Sequence, residues 1–238
     1  MKKIILLVAT MLCVVSYNFA QNTSTVTQGG DDNEALVTQA GDLNEATIDQ
    51  SGDSNYAEQI QGGDNSTAIV DQSGNGNSAL QNQLGIFQEA FIDQSGDGNQ
   101  AMQNQDGDSQ LATIDQSGDG NVANQTQTDI ANEAFIDQEG DNNLAWQTQD
   151  GASHTAIILQ PGSDNEASQE QNTDGNDALV FQSGDGNFAL QNQLGVLNNA
   201  QAFQVGDGNN SEQYQTGDLH SSLVFQIGDN NVANVVQD

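Results

Sequence analysis

Glutamine returns at every eleventh residue along most of this chain, and that spacing sharply limits the folds that the sequence can adopt. The series runs without insertion or deletion from Gln28 to Gln237. Its members are Gln28, Gln39, Gln50, Gln61, Gln72, Gln83, Gln94, Gln105, Gln116, Gln127, Gln138, Gln149, Gln160, Gln171, Gln182, Gln193, Gln204, Gln215, Gln226 and Gln237. A fixed repeat predicts a solenoid or an array in which each unit stacks on its neighbours.

Other positions keep the same phase. Glycine follows two residues after the glutamine in 17 of 19 cases, alanine precedes it by four residues in 17 of 20, and asparagine precedes it by six in 15 of 20. The fixed positions lie two residues apart, as in Asn44, Ala46, Ile48, Gln50 and Gly52. A period of two places them all on one face of a β-strand, which we expect to be the buried face.

The position two residues before the glutamine reveals a longer unit. It alternates between an aliphatic residue such as Ile48 and a glutamine such as Gln59, with Val37 and Val235 as exceptions near the two ends. The unit therefore has 22 residues in two similar halves, and ten units cover residues 22–238. We predict an all-β fold: a β-solenoid of ten 22-residue rungs with two strands in each rung.

Glycine-containing turns should separate the strands of each rung. The predicted turn glycines are Gly52, Gly74, Gly96, Gly118, Gly140, Gly184, Gly206 and Gly228. We expect a β-arch, in which the two strands face each other across about 10 Å and each pairs in parallel with its equivalent about 4.8 Å away. Such amyloid-like, in-register stacking would let each buried glutamine amide bond to the next, which satisfies groups that are costly to bury alone.

The first twenty residues differ from the rest. Lys2 and Lys3 precede an apolar run over residues 4–15, and we predict a signal peptide over residues 1–20 and the solenoid over residues 21–238. Both lysines and the only cysteine, Cys13, lie in this segment, whereas all 34 acidic residues follow it. The remainder has no cationic side chain, which argues against binding to nucleic acid or to an anionic membrane and against membrane insertion.

The repeat resembles the curlin repeat, Gln-x-Gly-x-x-Asn-x-Ala-x-x-x-Gln. Here it reads Gln94-Ser95-Gly96-Asp97-Gly98-Asn99-Gln100-Ala101 through to Gln105, and the pattern covers nearly the whole chain after residue 21. The resemblance implies a subunit of curli, the extracellular amyloid fibres of Gram-negative bacteria that serve in adhesion and biofilm matrix. It further implies a nucleator subunit and an outer-membrane secretion pore as partners.

The predicted mechanism is self-assembly. No capping helix is visible at either end of the repeat array, so open ends should stack head to tail into a homopolymeric filament. Three alternatives are a nucleator subunit of the same fibre, a repeat adhesin, and an ice-binding solenoid. Ice binding needs flat threonine arrays, and Thr23, Thr25 and Thr27 supply a single row.

The repeat also predicts two outward columns of side chains. Aspartates at the turns, including Asp97, Asp119 and Asp141, form an acidic column that is either a weak calcium site or a solvated surface. On the strands, the series Asp49, Asp71, Asp93, Asp115 and Asp137 gives way at the same repeat position to the apolar series Leu159, Phe181, Phe203 and Phe225. This outer apolar ladder would serve bundling or adhesion, or only packing between rungs.

Catalysis is not expected. His154 and His220 both occupy the asparagine position of the repeat, which indicates ladder substitutions rather than catalysts. Nothing pairs a nucleophile with a base at one unique site, so we predict no enzyme activity and no cofactor.

Overall fold

The computed structural model describes residues 21–238, so the predicted signal peptide lies outside the described residues. The described residues form twenty β-strands. These are β1 (Thr23–Gly29), β2 (Glu34–Ala40), β3 (Glu45–Ser51), β4 (Tyr56–Asp64), β5 (Thr67–Ser73), β6 (Ser78–Ile86), β7 (Glu89–Ser95), β8 (Gln100–Asp108), β9 (Leu111–Ser117), β10 (Val122–Ile130), β11 (Glu133–Glu139), β12 (Leu144–Asp150), β13 (Thr155–Pro161), β14 (Glu166–Asn172), β15 (Asp177–Ser183), β16 (Phe188–Leu194), β17 (Asn199–Val205), β18 (Asn210–Thr216), β19 (Ser221–Ile227) and β20 (Val232–Gln237).

The strands form two parallel sheets of ten strands each. The odd-numbered strands make one sheet, here called sheet A, and the even-numbered strands make the other, sheet B. Each strand pairs with the strand 22 residues along, so Ala46 aligns with Ala68 and Gln50 with Gln72. One strand of each sheet makes a rung, numbered 1 to 10 from β1–β2 to β19–β20. The predicted β-solenoid of ten two-stranded rungs with parallel, in-register stacking is confirmed.

The repeat positions face inward because they share one face of each strand. In β7 the burial alternates: Ala90, Ile92 and Gln94 are buried, whereas Glu89 and Asp93 are exposed. A column of isoleucine, valine and alanine from sheet A packs against alanines from sheet B, as Ile48 and Ala57 do in rung 2. The core is therefore thin, and glutamine amides fill much of the remaining space between the sheets.

Most turns contain two residues with a positive φ, and the turns at Gly63 and Gly162 contain one. Gly96 has a φ of +106°, and a Cβ built on it would overlap the carbonyl oxygen of Gly118 in the next rung. Both the backbone angle and the spacing between rungs therefore select glycine. The two exceptions to the glycine rule, Asp129 and Thr173, keep the left-handed conformation with φ values of 70° and 76°, which costs a residue with a Cβ some strain.

No helix within residues 21–238 has the length and apolar character needed to cross a membrane.

Candidate functional site: the amide ladders

Two continuous glutamine ladders run the length of the solenoid. They contain the twenty in-phase glutamines: one ladder runs through sheet A from Gln28 to Gln226, and the other through sheet B from Gln39 to Gln237. In every step the Nε2 of one glutamine donates to the Oε1 of the glutamine in the next rung, over 2.7–3.0 Å. All eighteen bonds point the same way, from rung 1 towards rung 10.

From Gln39 onwards, the second amide hydrogen of each ladder glutamine joins the two sheets. Gln50 donates to the carbonyl oxygen of Glu34 at 3.1 Å, and Gln61 donates to that of Glu45 at 3.1 Å. Each of these carbonyls precedes the alanine of the preceding half-unit, so the long glutamine side chain lies beside a small residue. One amide thus stabilises both the stacking of rungs and the contact between sheets.

A third glutamine ladder occupies the middle of sheet B. It starts at Gln59, which donates to Gln81 Oε1 at 2.9 Å, and it continues to Gln213. Its two ends are irregular, because valines stand at the same position in rungs 1 and 10. The buried Oε1 of Gln59 has no hydrogen-bond partner among the described residues, and Nε2 of Gln213 donates to Ser222 Oγ at 2.9 Å.

Asparagine ladders at the turns have a structural role that the repeat pattern alone did not reveal. The buried Asn99 donates from Nδ2 to the carbonyl oxygen of Gly118 at 2.8 Å, and its backbone N–H donates to Asn77 Oδ1 at 2.9 Å. Each asparagine therefore holds the turns of successive rungs together. The sequence contained a signal for this role: the asparagine lies at a fixed distance from the turn glycine, and asparagine side chains often bond to the backbone of turns.

His154 takes over the asparagine position and keeps part of its bonding, although its buried Nε2 has no hydrogen-bond partner among the described residues. Its backbone N–H donates to Asn132 Oδ1 at 2.9 Å, and its Nδ1 accepts from the backbone N–H of Asn176 at 3.1 Å. The ring is buried and lies among turn atoms. His220 makes the corresponding backbone bond to Asn198 Oδ1 at 2.8 Å.

The turn aspartates are engaged with the backbone. Asp119 Oδ1 accepts from the N–H of Asp97 at 2.8 Å, and Asp141 Oδ1 accepts from the N–H of Asp119 at 3.0 Å. Each carboxylate therefore fixes the turn of the rung before it. Within residues 21–238, no group of three or more His, Cys, Asp or Glu is arranged to hold a metal ion, and the calcium hypothesis gains no support from this geometry.

The strand aspartates lie directly above one another on the outer face of sheet A. Asp71 pairs in register with Asp93, which pairs with Asp115. Partial burial raises the pKa of Asp71, Asp93, Asp115 and Asp137 above the usual value of 3.8, and repulsion from neighbouring carboxylates adds to the effect. The ionised column is therefore destabilising, and protonation of these carboxylates would remove the repulsion between them.

The outer apolar ladder continues this column on the same face. Asp137 pairs in register with Leu159, Leu159 with Phe181, and Phe181 with Phe203. The rings of Phe181 and Phe203 lie 6.3 Å apart, and those of Phe203 and Phe225 lie 6.0 Å apart, tilted by 37° and 44°. These are ordinary packing distances for aromatic pairs.

Comparison with known families agrees with this geometry. The family model of the curlin associated repeat matches residues 30–58, 41–74, 88–118 and 131–162. No curated protein sequence matches the chain. The matched segments lie in rungs 1 to 7, and the same strand register and amide ladders continue without interruption to rung 10. Curlin associated repeats therefore recur along the chain, which confirms the resemblance in the sequence and indicates a protein of the curlin family.

Proposed function

We propose that this protein is a structural subunit of curli-type extracellular amyloid fibres, which grow as copies of the chain add head to tail. The observation that carries the proposal is the common direction of the glutamine ladders. Because every ladder bond runs from rung 1 to rung 10, the two ends of the solenoid present different and complementary groups.

The ends match as donor and acceptor. Within residues 21–238, nothing donates to the Oε1 atoms of Gln28 and Gln39 in rung 1. In rung 10, Gln226 and Gln237 each use one amide hydrogen on a carbonyl oxygen and keep the other free. Rung 10 of one copy can therefore donate to rung 1 of the next, whereas two like ends would place donors against donors or acceptors against acceptors.

The backbone at the ends also favours addition. Strands β1 and β2 lie at one edge of the two sheets and β19 and β20 at the other. Each edge presents backbone N–H and C=O groups that a further parallel strand can pair. A second copy in the same orientation would continue both sheets and both ladders, which is the geometry of a cross-β fibre.

Charge opposes assembly. The sequence carries a formal net charge of −32, and stacked copies would bring more carboxylates together. We therefore expect acid and salt to accelerate assembly. The family supports an extracellular role in adhesion and biofilm matrix, with a signal peptide over residues 1–20, a nucleator subunit and an outer-membrane secretion pore as partners. The regular repeats favour the main subunit over the nucleator.

The test is assembly of the purified chain at pH 4 and pH 8, followed by fibre diffraction. We expect fibres with reflections near 4.7 and 10 Å, which form faster at pH 4. A chain that stays a discrete monomer at high concentration in acid would contradict the proposal.

A matched pair of variants tests the ladder itself. Gln116→Leu removes one step, leaving Nε2 of Gln94 without its acceptor and Oε1 of Gln138 without its donor. Each orphaned group costs about 1–3 kcal/mol, so fibres of this variant should lose order or fail to form. The control Gln100→Leu replaces an exposed glutamine on the outer face of β8 and should assemble like the unaltered chain. Equal behaviour of the two variants would contradict a ladder-based mechanism.

A further inference from the structure

Rungs 1 and 10 share a set of inward-facing residues that the eight rungs between them lack. In sheet A both place a serine where rungs 2 to 9 have alanine, Ser24 and Ser222, followed by a valine, Val26 and Val224. In sheet B both place a valine where rungs 2 to 9 have glutamine, Val37 and Val235. The two edges of the described solenoid therefore resemble each other more than they resemble the interior.

The valine in rung 1 is unfavourable within a single chain. Gln59 is fully buried and its Oε1 lacks the donor that a glutamine at position 37 would supply. In rung 10 the same exchange is compensated, because Gln213 donates to Ser222 Oγ at 2.9 Å in place of a glutamine at position 235. Three other buried polar atoms, in internal rungs, also lack partners, but Gln59 Oε1 is the one that faces rung 1.

We propose that rungs 1 and 10 are a matched interface between two copies of this chain, in which Val235 of one copy packs on Val37 of the next. Val224 would stack on Val26 and Ser222 on Ser24 in the same junction. The occupant is a second copy because the two rungs present the same side chains at equivalent positions, and stacking like on like is how in-register cross-β structures pack tightly.

The two terminal valines suit an apolar contact between copies. Val37 is half-buried and packs against the core, and Val235 is half-buried in rung 10, beside a hollow that Val224, Gln226 and Asn231 also line. Apolar contact between two valines needs no hydrogen bond. A glutamine at either position would instead bring an amide group to the junction, which needs a partner in the other copy. Matched valines therefore meet without adding an unpaired polar group.

This inference rests on the head-to-tail assembly proposed above, and a double-mutant cycle tests it separately. In Val37→Gln, the new amide can donate to Gln59 Oε1 within the chain, but its own Oε1 faces Val235 across the junction. In Val235→Gln, the new Oε1 can accept from Gln213 in place of Ser222 Oγ, but one amide hydrogen of the new side chain faces Val37. In the double variant, the amide at position 235 can donate to the one at position 37 of the next copy and restore a continuous ladder.

The measurement is the soluble concentration that remains at the plateau of seeded assembly. We expect each single variant to raise it on the order of tenfold, because one buried amide group per junction has no partner. The double variant should return to within about threefold of the unaltered chain. The urea midpoint of unassembled Val37→Gln should rise, since Gln59 Oε1 gains a donor.

The outcomes separate the two proposals. If the unaltered chain forms cross-β fibres and the single variants match it, the matched interface is wrong while head-to-tail assembly stands. A double variant that is weaker than either single variant would also overturn the matched interface. If the unaltered chain forms no fibre under any of these conditions, the proposed function itself is wrong.

Discussion

The outer face of sheet A carries an acidic column in rungs 2 to 6 and an apolar column in rungs 7 to 10, on the same backbone and in the same register. The first half stacks Asp71, Asp93 and Asp115 on one another with raised pKa values. The second half stacks Phe181, Phe203 and Phe225 with ring centroids 6.3 and 6.0 Å apart. In a ladder, the attraction or repulsion between two identical side chains is therefore repeated at every rung.

The inward glutamine ladders also repeat one side-chain interaction at every rung. An amide both donates and accepts, so identical amides stabilise one another. A phenyl ring packs well on another ring, whereas a carboxylate only repels its neighbour. We infer that the acidic half of the face limits stability and association at neutral pH, and that the apolar half stabilises the rungs at the other end.

The largest effect should come from placing a carboxylate in the apolar half. Phe203→Asp removes both ring contacts of Phe203 and sets a charge between two phenylalanines. We expect a loss of about 2–3 kcal/mol in the free energy of unfolding, measured by urea denaturation at pH 7. Gln201→Asp adds the same charge to the same outer face of β17 and should cost far less. Equal losses would show that charge alone, and not the aromatic stack, decides stability there.

The next effect is a pH dependence of the acidic half. Because the folded-state pKa values of Asp71, Asp93, Asp115 and Asp137 lie above the usual 3.8, the folded state binds these protons more tightly than the unfolded chain. Their contribution to stability is therefore full below about 3.8 and is lost as the pH rises through the raised values. The urea midpoint should be higher at pH 4 than at pH 7.

A fourfold variant isolates this contribution. Replacing these four aspartates with asparagine removes the titrating groups while the neighbouring Glu139 and Asp49 remain. The gain in urea midpoint between pH 7 and pH 4 should shrink in the variant. An unchanged gain would mean that other carboxylates cause it.

A smaller effect should follow from one substitution in the middle of the acidic column. Asp115→Leu relieves repulsion from the neighbouring carboxylates and adds an apolar side chain to the sheet. We expect a gain of about 1 kcal/mol at pH 7 by urea denaturation. Thr113→Leu, on the same face of β9, adds apolar surface without removing charge. If it stabilises the chain as much as Asp115→Leu, repulsion is not the cause.

Salt should give the smallest effect. Raising NaCl from about 0.05 to 0.5 M shortens the screening length to a few ångströms. The unaltered chain should gain a few tenths of a kcal/mol more than Asp115→Leu, as followed by the urea midpoint. Calcium chloride at equal ionic strength serves as the control for a specific site at Asp97, Asp119 and Asp141. An additional gain with calcium would revive the metal-binding hypothesis.

Much of this architecture could be predicted from sequence because the chain repeats itself. An atypical residue in one rung does not hide the pattern, because nine other rungs show the usual residue at that position. The Ala46, Ile48 and Gln50 pattern was therefore sufficient to predict strand, face and register. The outward transition from Asp137 to Leu159 was likewise predictable, since register alone sets which residues stack. Single-copy features were less accessible: the orphaned Oε1 of Gln59 and its counterpart at Ser222 depend on where each amide points.

Residue order sets the period, the two strands per rung and the identity of every column, because a repeat of 22 residues leaves one way to align equivalent side chains. The direction of the ladders and the partner of each second amide hydrogen become apparent only in three dimensions. The tertiary structure also showed that asparagines and turn aspartates bind the turns together. The physical reason is that a hydrogen bond depends on the orientation of donor and acceptor in space, and residue spacing does not encode that orientation.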